Sequence, residues 1–162
     1  MTEPYRVMTV CTGNICRSPM AEVVLRDRLE HAGLADRVVV DSTGISDEEH
    51  GNPIDRRART ALAARGYEVP QRAARQVRAD DLPRRDLVLA MTSSHARALR
   101  RLGDQGQVRM YRSFDPAAPV GGPESALDVD DPWYGGPDNF ELCLDEIEAA
   151  ADGVVAFIRG EF

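Results

Sequence analysis

The chain has 162 residues, 43% of them hydrophobic, enough to bury one sizeable core and too few for two. Its 20 basic residues face 27 acidic ones, and the formal net charge of −7 excludes a general attraction to nucleic acid or anionic membrane, so an anionic ligand needs a local cationic pocket. All of those basic residues are arginine, which excludes Schiff-base lysine chemistry and the lysine of a Walker-type nucleotide loop.

The opening Met1-Thr2-Glu3-Pro4-Tyr5 has no basic stretch followed by an apolar run, so no secretory leader is expected, and no segment reaches transmembrane length. Tyr5 to Val10 is predicted as a strand that runs directly into Cys11. After a short loop, Ser18 and Pro19 read as N-cap and first position of a helix. Its apolar set Ala21, Val24, Leu25, Leu29 and Ala32 repeats at helical spacing, and Gly33 ends it. Arg37 to Asp41, with three consecutive valines, reads as a strand covered on both faces. Ser42 to Pro53 reads as polar loop, Asp55 to Arg65 as a helix stopped by Gly66, and Asp86 to Met91 as a third buried strand. Ser93 to Leu102 then reads as a helix and Val108 to Tyr111 as a short fourth strand. Ser113 to Asp138 is rich in Pro, Gly and Asp and reads as one long loop, functional or mobile, before a closing amphipathic helix from Asn139 to Arg159. Alternating strands and helices predict an α/β fold, a parallel sheet covered by helices on both faces, as a single domain over residues 1–162. Ligands of such folds bind beyond the carboxyl ends of the strands, where Cys11 falls.

Three cysteines, two of them five positions apart and the third at Cys143, form neither a disulfide framework nor a four-ligand zinc pattern, and a reducing, cytoplasmic compartment is expected. Cys11 to Ser18 reads Cys-Thr-Gly-Asn-Ile-Cys-Arg-Ser. The residues between Cys11 and Arg17 can wrap their backbone N–H groups around one phosphate, with Gly13 and Asn14 taking the left-handed angles of such a nest. The following helix points its positive end at the same spot, and these surroundings favour a thiolate over a thiol. Arg17 can hold two phosphate oxygens with its planar fork, and Ser18 can donate a hydrogen bond to the sulfur while capping the helix. Cys-x5-Arg alone is a weak signal; the strand before it, Gly and Asn within it and Ser-Pro after it weigh against the plainer reading of Cys11 as a small buried hydrophobe.

An alkoxide or phenolate leaving group needs a proton. The long loop offers Asp115, Asp128, Asp130 and Asp131, of which Asp131 alone stands in Asp-Pro-Trp-Tyr-Gly-Gly. Chemistry alone gives equal weight to a general acid and to a turn aspartate before proline. A metal site from Asp128, Asp130 and Asp131 ranks last, because the further spaced ligands of a calcium loop are missing. His31 and His95 fall in helix patterns and read as solvated or packed, His50 stands in a loop, and Cys143 reads as core.

With these motifs in hand, the chain resembles the low-molecular-weight protein tyrosine phosphatases from Val7 through Phe157. The resemblance rests on Cys11 to Glu22, Asp41 to Gly44 (Asp-Ser-Thr-Gly), Gly51 to Asp55 (Gly-Asn-Pro-Ile-Asp), Ala74 to Val77 (Ala-Arg-Gln-Val) and Asp131 to Gly135. It implies a four-stranded parallel sheet with helices on both faces, a flavodoxin-like three-layer fold, without metal or cofactor. It further implies that Cys11 attacks phosphorus while Asp131 protonates the leaving oxygen, and that Asp131 then activates water to hydrolyse a phosphocysteine. Arg17 and the backbone from Thr12 through Gly13, Asn14 and Ile15 to Cys16 are expected to hold the phosphate oxygens, Asn14 to fix the loop with help from Ser42, and Ser18 to support the thiolate. By the same resemblance Cys16 is a reversible disulfide partner for Cys11. Trp133 and Tyr134 are expected to wall a deep cleft for an aryl phosphate, with Tyr134 also a possible phosphorylation site. Many relatives carry an aromatic residue before Gly51; this chain has Asp47-Glu48-Glu49-His50, an acidic rim that favours basic or neutral flanking peptide.

The expected substrates are phosphotyrosine proteins or aryl phosphates and the expected state is a monomer. A protein arginine phosphatase of the same fold is the nearest alternative, and Ile15 and Trp133-Tyr134 speak against it, since those relatives tend to carry Thr at the first position and a less aromatic loop. Thiol-dependent arsenate reduction needs resolving cysteines, and none stands between Cys16 and Cys143. A phosphocysteine carrier, or an anion-binding module without turnover, has no use for Asp131.

Overall fold

The computed structural model describes residues 3–162, so Met1 and Thr2, part of the opening in which no secretory leader is expected, lie outside the described residues. Strands β1 (Tyr5–Cys11), β2 (Val38–Gly44), β3 (Leu87–Ala90) and β4 (Val108–Met110) form one parallel sheet in the order β2-β1-β3-β4. Helices α1 (Arg17–His31), α2 (Arg56–Ala64), α3 (Ser93–Leu102) and α4 (Pro137–Arg159) cover it. The chain leaves β1 to one side for β2 and returns to the other for β3. The strand order therefore reverses at β1, which opens a crevice at its carboxyl end.

The period of two along each strand sorts the core onto two faces. Val7, Val38, Val40, Leu87 and Leu89 pack with residues of α1, α2 and α4, whereas Met8, Val10, Val88 and Ala90 pack with Ala96 and Leu99 of α3. The expected covering of the second strand on both faces is corrected at Val39, which is 42% exposed. Strand β2 is the edge of the sheet, and on that side Asp41 meets Arg75 and Arg85 instead of apolar side chains. The edge is also partly masked: Arg26 donates from Nε and Nη2 to the Val40 carbonyl at 3.1 and 2.7 Å.

Other boundaries move for local reasons. β2 runs on through Ser42, Thr43 and Gly44, because these residues stay in register with Thr9, Val10 and Cys11 of β1, and on the outer side the Gly44 N–H donates to the Arg75 carbonyl at 2.9 Å while its carbonyl accepts the Val77 N–H at 2.8 Å. Helix α2 begins at Arg56, with the Asp55 side chain capping it, and α4 begins two residues early, at Pro137. The stretch from Ser113 to Asp138 is not one irregular loop, since short 3-10 turns form at Tyr111–Phe114, Glu124–Leu127 and Pro132–Tyr134. Its middle is anchored: Val129 is fully buried, its N–H reaches the Met91 carbonyl at 2.8 Å, and Asp128 accepts the Ser93 N–H at the start of α3 at 2.7 Å.

Helix α4 presses on the turn Tyr111–Phe114, whose Tyr111 hydroxyl donates to the Ile147 carbonyl at 2.7 Å. At the contact stands Gly153, where a Cβ would fall 2.0 Å from the Phe114 oxygen. Alanine ordinarily stabilises a helix interior over glycine by about 0.5–1 kcal/mol. Here Gly153→Ala is expected to do the opposite and cost about 1–3 kcal/mol as α4 is forced off the turn. Thermal melting checks this, at roughly 2–4 °C per kcal/mol for a chain of this size.

Candidate active site

Cys11 ends β1 and Arg17 opens α1, so the residues between them form the turn that joins the central strand to the first helix. The helix starts at Arg17 with Cys16 as N-cap, not with Ser18 as cap, and no side chain caps it. Ser18 is thus a helical residue, and its hydroxyl turns back under the loop. It lies 3.1 Å from Cys11 Sγ and 3.2 Å from the Thr43 carbonyl, and accepts an N–H from Asn14 Nδ2 at 2.9 Å. Ser18 has a single O–H to give; a Cys11 thiolate can only accept, so ionisation draws that proton to sulfur.

The loop's shape is concentrated in Asn14. Its φ is 60°, and it is the one non-glycine residue among those described with a positive φ. Gly13 does not share this conformation, contrary to expectation. Its small size serves instead to admit Glu49, whose Cγ lies 3.2 Å from where a Cβ would be. The Asn14 amide is saturated. Nδ2 donates to Ser18 and to Ser42 Oγ at 3.0 Å, and Oδ1 accepts from Arg72 and from the Arg75 N–H at 3.0 Å. Arg72 adds a bond to the Asn14 carbonyl at 2.9 Å and one to Ser42 Oγ at 3.1 Å, while Ser42 donates to the buried Glu22 at 2.6 Å. Burial lowers the Arg72 pKa, an effect that the nearby Glu22 only partly offsets.

Gly44, the glycine of Asp-Ser-Thr-Gly, lies directly beneath the loop. A Cβ there would stand 2.7 Å from the Thr12 carbonyl and 3.1 Å from Asn14, so only glycine permits the approach. Ile45 and Ser46 then donate their N–H groups to the Cys11 and Thr12 carbonyls at 2.9 and 3.0 Å. Ile15 is buried, and its carbonyl accepts the Asp55 N–H at 2.9 Å. That bond ties Gly-Asn-Pro-Ile-Asp to the same loop.

Arg17 reaches across the crevice. Nη1 donates to the Val129 carbonyl at 3.0 Å, and Nη2 lies 3.4 Å from both Thr12 Oγ1 and Asp131 Oδ2. The turn reading of Asp131 holds, since Oδ1 accepts the Trp133 N–H at 3.1 Å and caps the turn Pro132–Tyr134, while Oδ2 faces Arg17. One cleft is lined by Cys11, Gly13, Ile15, Arg17, Asp131 and Trp133, with Thr12, Cys16, Ser46, Glu48, Glu49 and Tyr134 completing it. Trp133 is 42% and Tyr134 88% exposed, so both wall the mouth and not the core. The thiols of all three cysteines are free. Burial raises Cys16 well above the usual thiol range and pushes Cys143 up to about 12.

Three residues that sequence reasoning left out take part. Arg72 clamps Asn14 as described. Arg57 donates to the Trp133 and Gly135 carbonyls at 3.1 and 3.2 Å, stacks 5.1 Å from the Trp133 ring, and pairs with Asp55, which steadies the aspartate loop. His95, expected to be a solvated or packed helix residue, is buried with Nε2 2.8 Å from Thr12 Oγ1. Arg72 and Arg57 each stand two residues from a quoted motif, Ala-Arg-Gln-Val and Gly-Asn-Pro-Ile-Asp, whereas His95 stands near none.

The model of the low molecular weight phosphotyrosine protein phosphatase family matches residues 6–161. A low molecular weight protein-tyrosine-phosphatase of Streptomyces coelicolor is 49% identical over 159 residues, 96% of this chain and 94% of that one. Low molecular weight protein-tyrosine phosphatase A of Mycobacterium tuberculosis is 46% identical over 155 residues, 95% of this chain and 91% of that one. Among solved structures, YfkJ from Bacillus subtilis superposes with a TM-score of 0.89 at 30% identity, covering 99% of this chain and 98% of that one. Vibrio vulnificus Wzb in complex with benzylphosphonate does so with a TM-score of 0.80 at 25% identity, covering 94% and 98%.

Removing the Arg72 fork leaves the Asn14 carbonyl without its partner and weakens the hold on a left-handed residue. Arg72→Gln is expected to cost roughly 1–3 kcal/mol of stability and to weaken vanadate binding about tenfold or more. Thermal melting and calorimetric titration with vanadate measure the two effects.

Proposed function

This chain belongs to the low molecular weight phosphotyrosine protein phosphatase family, and from that premise we propose that Cys11, Arg17 and Asp131 carry the hydrolysis of phosphotyrosine through a phosphocysteine. The observation that supports this most is the Arg17 guanidinium, which joins the loop that holds the thiol to the loop that carries the carboxylate. The phosphoryl group enters the nest of N–H groups at the positive end of α1, and Arg17 takes two of its oxygens. Cys11 sulfur attacks phosphorus in line. As the phosphorus–oxygen bond breaks, the protonated Asp131 carboxyl gives its proton to the departing phenolate oxygen. In the second step the Asp131 carboxylate takes a proton from water, the resulting hydroxide attacks phosphorus, and the sulfur–phosphorus bond breaks to release inorganic phosphate. The Ser18 O–H stabilises the sulfur anion as it leaves. This chemistry calls on no metal or cofactor.

Thr12, Gly13, Asn14, Ile15 and Cys16 supply the loop backbone, and Ser42 braces Asn14. Cys16 lines the same cleft as Cys11, which supports it as the resolving thiol: once a peroxide has oxidised Cys11 to a sulfenic acid, the Cys16 sulfur attacks that sulfur and expels water to leave a disulfide, a step that its burial slows by raising the Cys16 pKa. Trp133 and Tyr134 would flank the substrate ring. We take the protein to act as a cytoplasmic, single-domain monomer on phosphoproteins, without nucleic-acid or membrane partners. Among the described residues no helix is long and apolar enough to cross a membrane.

Cys11→Ser is expected to lose nearly all turnover of a phosphotyrosine peptide. Asp131→Asn is expected to lose about 10² to 10⁴ in rate on aryl phosphates with poor leaving groups and much less on activated ones. Equal losses across a leaving-group series would remove Asp131 from the acid's role, and faster hydrolysis of phosphoarginine than phosphotyrosine peptides would shift the substrate.

Glu48 and Glu49 line the cleft where relatives often stack an aromatic ring. Phosphotyrosine peptides flanked by arginine are accordingly expected to exceed glutamate-flanked ones in kcat/KM by roughly two- to fivefold per contact. Glu48→Gln with Glu49→Gln, or raised salt, is expected to erase the preference.

A further inference from the structure

The chemistry above leaves His95 without a task, yet this ring is built into the site from behind. It stands on the first turn of α3, buried, and Nε2 shares a 2.8 Å hydrogen bond with the Thr12 hydroxyl. Nδ1 is buried without any partner. An imidazole enclosed with one nitrogen unsatisfied is a costly way to fill space, since an apolar side chain of similar size avoids that penalty. What the histidine adds over such a side chain is its one directed bond, and that bond ends on the phosphate loop.

The bond's reach extends further. Thr12 Oγ1 accepts from Arg17 Nη2 at 3.4 Å, and the same Nη2 lies 3.4 Å from Asp131 Oδ2. With Nη1 fixed on the Val129 carbonyl, the free end of the guanidinium is drawn between Thr12 on one side and Asp131 on the other. Both contacts are long enough to yield to a phosphate oxygen. If Thr12 turns away, only Asp131 remains to hold that end, and the ion pair then competes with the substrate for the same N–H groups.

Resting on the phosphatase reading above, we propose that His95 is a positioning residue that fixes the Thr12 hydroxyl and, through it, the orientation in which Arg17 receives the phosphoryl group. Burial, reinforced by the charge of Arg17, pushes the ring's pKa down to about 3, so the ring is neutral and the link persists in the range where the enzyme is assayed. A neutral ring can either accept the Thr12 proton at Nε2 or donate to its oxygen, and both arrangements fix the hydroxyl.

The test is a double-mutant cycle of His95→Leu and Thr12→Val, with His95→Gln as the variant that can restore a polar partner. KM and kcat for p-nitrophenyl phosphate, the inhibition constant of inorganic phosphate and the melting temperature are measured for each. His95→Leu is expected to raise KM and the phosphate inhibition constant together by about two- to tenfold, the worth of one neutral hydrogen bond, with kcat much less affected. Thr12→Val is expected to match it, the double variant to be no worse than either, and His95→Gln to recover most of the loss. A loss from His95→Leu that is as large in the Thr12→Val background as alone would mark the residue as mere packing and overturn the proposal. So would a Thr12→Val enzyme with unchanged KM and phosphate inhibition, which decides the matter even if His95→Leu does not fold. A wild-type enzyme inactive on phosphotyrosine peptides would instead refute the phosphatase reading itself.

Discussion

Everything at the site depends on one asparagine held in a left-handed backbone conformation that few side chains other than its own tolerate. A left-handed turn at Asn14 costs roughly 1–2 kcal/mol against the ordinary helical region, and it bends the chain within the turn that joins β1 to α1. The protein offsets that cost with side-chain bonds to four partners, drawn from α1, β2 and the extended segment after α2. Because these elements belong to separate parts of the fold, the loop assumes its shape only when the sheet and its flanking segments are assembled. Function at this site is therefore coupled to the integrity of the whole domain, and not only to the loop's own sequence.

The arginine-only composition acquires a structural meaning at the same place. Arg72 sends two N–H groups to one residue's carbonyl and amide oxygen, and Arg57 spans two backbone carbonyls of the aspartate loop from one nitrogen while stacking on an indole. Arg17 divides its nitrogens between a carbonyl, a hydroxyl and a carboxylate. Each task uses the planar, multiply donating fork, and a lysine ammonium would fill none of them as well. In a chain of net charge −7 these cations are gathered at the crevice by geometry, while many of the others are paired with carboxylates at the surface.

The parts of the site legible in sequence are those whose chemistry is local. Cys11 and Arg17 stand a fixed distance apart in one turn, and Asp131 sits beside a proline and two aromatics, so spacing and composition announce them. The order of elements was readable for the same reason, since strands of three to seven residues and longer periodic helices carry their own pattern. What escaped is what tertiary packing decides. Val39 looks like its neighbours Val38 and Val40, and only the edge position of β2 leaves it exposed. Ser18 has the chemistry of a cap but lies two residues past the N-cap Cys16, with its hydroxyl beneath the sulfur. His95, Arg57 and Arg72 act on residues 58 or more positions away, a separation at which one sequence carries no register.

The open flank of the sheet bears on life at high concentration. An unguarded outer ladder invites a second copy to add its own strand, the first step toward runaway polymerisation. By seating a guanidinium on Val40's oxygen, Arg26 occupies a rung that a foreign backbone amide would otherwise claim. The same cation is held in place by Glu22, the buried acid that also receives the Ser42 proton. A single carboxylate thus connects the guard against self-association with the brace of the loop between Cys11 and Arg17.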